Sequence, residues 1–139
     1  MAAIIAYAEI GEPYREVLGV EFNTSLVIGQ SYHVSFNLVC DATLQNGFAI
    51  NHLGFKFTTY STFDSVEMMT NNISHGSISE IVSDIHNWQT FHFTFQADSA
   101  YTYFHLGCFF EDSESETELI QYGNVFFSYY FIDNVRIEE

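Results

Sequence analysis

Hydrophobic and polar residues alternate along most of the chain. Between residues 31 and 40 the even positions are apolar, and His33, Ser35 and Asn37 occupy odd positions. Residues 88–97 alternate in the same way, with phenylalanine at positions 91, 93 and 95. A period of two is typical of a half-buried β-strand. No apolar pattern with helical spacing extends beyond about two turns, so the sequence predicts a chain made of strands.

Eight such segments are expected, separated by turns rich in Gly, Asn, Asp and Ser. They cover residues 2–10, 14–27, 31–40, 49–59, 64–68, 88–97, 101–110 and 125–138. A chain of 139 residues is long enough for one domain. We therefore predict a single all-β domain, residues 1–139, built as a two-sheet antiparallel β-sandwich, with a single barrel as the alternative.

The two cysteines and the one tryptophan are expected to lie inside the fold. Cys40 and Cys108 share the apolar faces of their strands. We favour two reduced thiols over a cross-sheet disulfide, because the sequence does not place their Cα atoms within bonding range. Trp88 precedes a strongly alternating strand and is expected to pack in the core. The alternative for Trp88 is a platform on which a sugar ring stacks.

The composition excludes several classes of protein. With 47% hydrophobic residues, the chain is too apolar to be disordered. Lys and Arg total 3 against 18 Asp and Glu, for a net charge of -15. The basic residues are too few to neutralise phosphates, which excludes nucleic acids and disfavours anionic membranes. No apolar stretch approaches about 18 residues, so membrane insertion is not expected. The acidic run at residues 111–118 is expected to stay solvated and mobile.

The residues that could perform chemistry suggest recognition rather than catalysis. The sequence has no hydrolase motif and no phosphate-binding loop, so we do not expect an enzyme. His33 and His92 lie on the polar faces of their strands. If the two strands are neighbours, these imidazoles approach each other across the sheet, joined by Asn37 and Gln96. Imidazole and amide groups can hold sugar hydroxyls or a transition metal. The alternative is that these side chains only face solvent.

Four segments resemble strands of a known family. Residues 129–137 contain an aromatic pair followed by Ile-Asp-Asn-Val, and residues 28–36 match a Gly-x-x-Tyr-x-Val-Ser-Phe strand. Residues 53–57 and 88–95 match the Gly-x-x-Phe strand and the strand that begins with tryptophan. In order and spacing, residues 14–138 resemble the jelly-roll carbohydrate-binding modules of the galactose-binding-domain-like class. The version found in bacterial cell-surface and outer-membrane-associated proteins is the most similar.

The resemblance implies a jelly roll that binds a glycan on a sheet face or at its loop tips. The sugar-binding residues would be His33, Asn37, His92 and Gln96. It also implies a structural calcium ion held by Asp133, because calcium takes oxygen ligands. The alternative for Asp133 is a bulge residue bonded to backbone amides.

The expected function is therefore a non-catalytic carbohydrate-binding module of a secreted or cell-surface bacterial protein. The alternative is a structural or adhesive module, or an assembly subunit, that binds protein and no sugar. Residues 1–10 lack a basic residue and contain Glu9, so we interpret them as a strand and not as a signal peptide. The family's first strand has no clear counterpart, which would leave a sheet edge open for a partner strand or for a homo-oligomer.

Overall fold

The part of the chain that the structure describes forms ten strands. The computed structural model describes residues 1–8, 14–41, 47–61, 70–122 and 127–139. The strands are β1 (Ala2–Ala8), β2 (Leu18–Glu21), β3 (Ser31–Cys40), β4 (Phe48–Ile50), β5 (Leu53–Thr58), β6 (Gly76–Ser77), β7 (Gln89–Gln96), β8 (Tyr103–Cys108), β9 (Thr117–Leu119) and β10 (Phe127–Glu138). Within the described ranges, the only helical element is a 3-10 turn at Asp112–Glu114.

The strands form two four-stranded sheets and one small pair. The first sheet has the order β1-β10-β3-β7, the second has the order β2-β8-β5-β6, and β4 pairs with β9. Every pairing is antiparallel. β1 and β2 lie in different sheets, as do β7 and β8, so the chain crosses repeatedly from one layer to the other. This is the all-β, two-sheet jelly roll that the sequence predicts.

Phenylalanine side chains fill the space between the sheets. The ring of Phe55, on the second sheet, lies 5.3 Å from Phe93 of the first sheet and 6.0 Å from Phe104 beside it. Fully burying a side chain of this size contributes about 1.5–3 kcal/mol. Cys40 and Cys108 belong to the same core and are free thiols, as expected.

A buried tyrosine connects the first sheet to the irregular chain outside it. The hydroxyl of Tyr130, on β10, accepts a hydrogen bond from the N–H of Ile50 at 2.9 Å. The same hydroxyl donates to the carbonyl of Val82 at 2.8 Å. Burial raises the pKa of Tyr130 well above its usual range, so the hydroxyl keeps its proton and can act as a donor.

The two edges of the first sheet differ. At β1, Glu16 covers the edge: its N–H donates to the carbonyl of Ile5, and its carboxylate accepts from the N–H of Ile5. The guanidinium of Arg15 donates to the carbonyl of Ala6. At β7, no backbone hydrogen bond from outside the sheet reaches the strand from the described residues. Among the described residues, therefore, nothing pairs with the long edge of β7, whereas the edge of β1 is covered.

Several predicted strand boundaries were wrong. The strand predicted at 14–27 forms only β2, because residue 16 turns aside to cover the β1 edge. The strand predicted at 49–59 is divided into β4 and β5 where His52 takes a positive φ of 60°. The strand predicted at 64–68 lies outside the described residues.

The acidic run contains a strand that the sequence did not predict. β9 forms within residues 111–118 and one residue beyond, although most of the run's side chains are exposed as expected. Asn51 holds this segment: its side-chain oxygen accepts from the N–H of Glu116 at 2.8 Å, and its own N–H donates to the Glu116 carbonyl at 3.2 Å. These bonds bring the chain alongside β4, where it pairs despite its charge.

Candidate functional site

The outer face of the first sheet collects the polar residues that the sequence singled out. The even residues of β3 are buried against the second sheet, so its odd residues point outward. On β7 the phenylalanines point inward and the residues between them are exposed. The register pairs Ser35 with His92 and His33 with Thr94. The two histidines are therefore diagonal neighbours on one exposed face.

The two imidazoles meet, as predicted for neighbouring strands. Nε2 of His33 lies 3.0 Å from Nδ1 of His92. The ring centroids are 5.2 Å apart and the ring planes differ by 30°. One ring donates and the other accepts, since a hydrogen bond between two imidazole nitrogens needs one proton. Both side chains are exposed, so an external ligand can reach them.

Asn37 lies two residues, about 7 Å, along β3 from Ser35, the register partner of His92, and four residues from His33. Its register partners are Thr90 on β7 and Asp133 on β10. The side-chain oxygen of Asn37 is buried and accepts no hydrogen bond from the described residues. A buried amide oxygen without a donor is uncommon in native structures. Among the polar groups that the structure describes on this face, the Asn37 oxygen is the one that is buried without a donor.

Gln96 does not join the pair. Its amide donates to the carbonyl of Gly29 at 3.0 Å and so supports the turn before β3. Gln96 is four residues from His92 and two residues from Thr94, the register partner of His33. A part for Gln96 in ligand binding stays a prediction.

Charged residues of β10 border the histidine pair on the other side. Glu138 is the register partner of His33, and Arg136 is the partner of Ser35. The guanidinium of Arg136 donates to the side-chain oxygen of Asn134 at 3.0 Å. The face therefore runs from β7 hydroxyl and imidazole groups to a carboxylate and a guanidinium on β10.

Asp133 takes the geometry of a bulge residue. The register between β10 and β3 shifts after Asp133, and Asn134 has a positive φ of 52°. The Asp133 carboxylate accepts from the Asn134 N–H at 2.8 Å and lies 3.5 Å from the Met1 amino group. The Asn134 hydrogen bond, followed by the Met1 charge, lowers the pKa of Asp133. This is the arrangement given above as the alternative to a calcium ligand.

Calcium at Asp133 remains a prediction. Across the described residues, no group of three or more His, Cys, Asp or Glu side chains converges in a way that could hold a metal. The Asp133 side chain is 53% exposed. A calcium ion bound there would take most of its six to eight ligands from backbone carbonyls and water.

Trp88 lies at the surface, and its predicted place in the core was wrong. Its side chain is 44% exposed. The last register pair joins Leu38 to Gln89, so Trp88 falls just beyond the ladder. The preceding turn is fixed by Asp84, whose carboxylate accepts from the N–H groups of residues 86 and 87. Continuing the alternation of β7 by one residue puts Trp88 on the same side as His92.

A buried polar cluster on the outer face of the second sheet was missed. His105 is 1% exposed, and its Nε2 lies 3.0 Å from Oγ1 of Thr58. The Thr58 hydroxyl donates to the carbonyl of Tyr60, so His105 is the donor in their hydrogen bond. Burial, followed by the nearby charge of Lys56, lowers the pKa of His105 to about 4. Burial also lowers the pKa of Lys56, whose amine donates to Asn71 at 2.6 Å.

A second histidine is fixed in one tautomer by a chain of hydrogen bonds. The N–H of Phe57 donates to Nδ1 of His75 at 2.9 Å, so the proton of His75 is on Nε2. That nitrogen lies 3.1 Å from the hydroxyl of Tyr101, which donates to Asp98 at 2.5 Å. Burial is the main cause that lowers the pKa of His75. Both ring nitrogens are occupied, so this histidine has a structural role.

Comparison with models of known protein families, with curated proteins and with solved structures gave no match. The described residues also contain no helix that is long and apolar enough to cross a membrane.

Proposed function

We propose that this chain is a non-catalytic glycan-binding module of a secreted or cell-surface protein. Its binding surface would be the outer face of β3 and β7. The observation on which the proposal depends is that His33, His92 and Asn37 share one exposed sheet face, with Trp88 at the end of the same strand as His92. Neutral polar groups next to an exposed indole are suited to a ring that has hydroxyls on its edge and C–H groups on its face.

Each group has a distinct part in this proposal. The partly exposed amide of Asn37, whose oxygen has no donor among the described residues, would bond to a sugar hydroxyl. The imidazoles of His33 and His92 donate to or accept from a second hydroxyl, since each ring has one nitrogen turned away from the other ring. Trp88 provides the stacking surface. Each contact is worth little, because it replaces a contact with water, and several modules together would supply avidity.

The charge of the chain restricts the class of glycan. A net charge of -15 repels uronic-acid and sulfated polymers over a distance of several ångströms. A neutral polysaccharide meets no such repulsion. We therefore expect neutral glycans to bind and acidic ones to bind less well or not at all.

A glycan array followed by calorimetry tests the proposal. Trp88→Ala and Asn37→Ala should each weaken binding of an array hit at least tenfold, about 1.4 kcal/mol. Tyr122→Ala is the matched control, because this ring is 91% exposed and lies in the connection after β9. No hit on the array, or a hit that Trp88→Ala and Asn37→Ala leave unchanged, would refute the proposal.

A second candidate is an assembly subunit, which the open edge of β7 favours. This eight-residue strand has no acidic residue, no lysine and no proline, the features that usually protect a sheet edge. Its inward Phe91 and Phe93 are only partly buried. An antiparallel β7–β7 pairing of two copies would cover both edges. Light scattering tests this: a discrete dimer that Thr90→Lys/Thr94→Lys converts to a monomer supports it, and a monomer at all concentrations excludes it.

A further inference from the structure

We infer that His33 and His92 form a binding site for a divalent transition-metal ion such as Zn²⁺, Ni²⁺ or Cu²⁺. The inference does not depend on glycan binding. It starts from the two ring nitrogens that face each other at 3.0 Å on an exposed sheet face. Imidazole nitrogen is the side-chain ligand that these metals share.

The spacing of the two nitrogens suits a shared metal. Zinc–imidazole bonds are about 2.0–2.1 Å long. When the nitrogen–metal–nitrogen angle lies between about 90° (octahedral) and about 109° (tetrahedral), the two nitrogens are about 2.9–3.4 Å apart. The observed separation of 3.0 Å falls within this range. A metal can therefore take the place of the proton between His33 and His92 with rotation of the rings but no change in the distance between strands.

The protons balance without an additional reactant. In the hydrogen-bonded pair, one of the two facing nitrogens holds a proton. When the metal binds, that ring moves its proton to its other nitrogen through water, and both facing nitrogens then donate a lone pair. Water completes the coordination shell, because no third His, Cys, Asp or Glu side chain joins the pair among the described residues.

The surroundings of the pair favour a cation. Glu138 is the register partner of His33, and the chain as a whole has a charge of -15. The nearest basic partner in register, Arg136, is hydrogen-bonded to Asn134. The ring nitrogens of His75, in contrast, are both used in internal hydrogen bonds.

The ligand type predicts which metals bind. Magnesium and calcium take oxygen ligands and are not held by imidazole pairs. Zinc and nickel chlorides should therefore bind in a background of millimolar magnesium, whereas added magnesium or calcium alone should leave the histidine rings unchanged. This selectivity separates the site from nonspecific attraction to the acidic run at residues 111–118.

The experiment titrates the full chain with zinc chloride and nickel chloride, by calorimetry and by NMR of the histidine ring signals. Zinc should shift the rings of His33 and His92 together, at one equivalent. His33→Gln and His92→Gln should each lower the affinity at least about tenfold, since even loss of an outer-shell partner has that effect. His86→Gln is the matched control, because His86 is also exposed but lies in the turn before β7, six residues from His92.

Either of two outcomes would overturn the inference. One is that zinc leaves the rings of His33 and His92 unshifted in the wild-type chain, a result that needs no variant to fold. The other is binding that both glutamine variants retain, which would place the metal elsewhere. Because no sugar is present in this titration, failure of the metal site leaves the glycan proposal standing, and a blank glycan array leaves the metal site standing.

Discussion

Removing the hydroxyl of Tyr130 tests how the first sheet is joined to the chain around β4. Tyr130→Phe keeps the ring, so it creates no cavity in the core. It removes the acceptor of the Ile50 N–H and the donor to the Val82 carbonyl, both of them buried contacts under 3 Å. A lost hydrogen bond costs about 1 kcal/mol, and a buried group left without a partner costs about 1–3 kcal/mol. We expect a loss of about 3 kcal/mol in the free energy of unfolding.

Urea unfolding followed by tryptophan fluorescence and circular dichroism measures this change. The midpoint should fall while the slope stays the same, because the surface exposed on unfolding does not change. For 139 residues the unfolding entropy is about 0.3 kcal/mol/K, so the melting temperature should fall by about 10 °C. Tyr14→Phe is the control: its hydroxyl bonds to Glu16 at the exposed surface and should be worth under about 0.5 kcal/mol. If Tyr130→Phe lowers the free energy of unfolding as little as Tyr14→Phe does, the hydrogen bonds of Tyr130 do not stabilise the sheet.

Three further predictions follow from the charges and the packing. The pKa of His105 in the folded chain, about 4, lies below its ordinary value of 6.5. As the pH drops from about 6.5 to 4, the unfolded chain is protonated before the folded chain, so the free energy of unfolding falls. His105 accounts for at most about 3 kcal/mol of the fall in the free energy of unfolding. In urea titrations, the free energy of unfolding of His105→Gln should therefore fall less over this pH range than that of the wild type; an equal fall would show that His105 does not cause it. Gly54→Ala should cost about 3 kcal/mol or prevent folding, because its Cβ would overlap the backbone of Gly76; a wild-type melting temperature would contradict this. If Asp133 binds calcium, the melting temperature is higher with calcium than with a chelator, and Asp133→Asn removes the difference; equal values in the wild type would argue against the ion.

The alternation of side chains was sufficient to predict the long strands and the site face. β3 has the predicted bounds, 31–40, because its even residues meet the opposite sheet without interruption. The same alternation put His33 and His92 on one face, where they meet. Alternation gives the face on which each side chain lies, whereas the pairing of β3 with β7 is seen only in the structure. The role of this face remains a prediction, because the alternation of apolar and polar residues indicates which side chains are buried and not which ligand binds.

Other features depend on contacts that alternation cannot reveal. Trp88 was expected inside because it is large and apolar, but it precedes the first paired residue of an edge strand. The burial of His105 was not predicted, because its position on the polar side of β8 gives no sign that this side is covered. β9 depends on two hydrogen bonds from the distant Asn51. In each case the deciding contact comes from residues far away in sequence.

In the assembly proposed above, the unequal edges of the first sheet would limit growth through that sheet. A second copy that joins at β7 leaves two β1 edges at the ends of the joined sheet. Both ends are then blocked by the side chains and backbone of residues 15 and 16. Head-to-tail addition would need β7 of one copy against β1 of the next, where the same contacts stand in the way. The proposed β7 pairing would therefore give a closed pair and no filament.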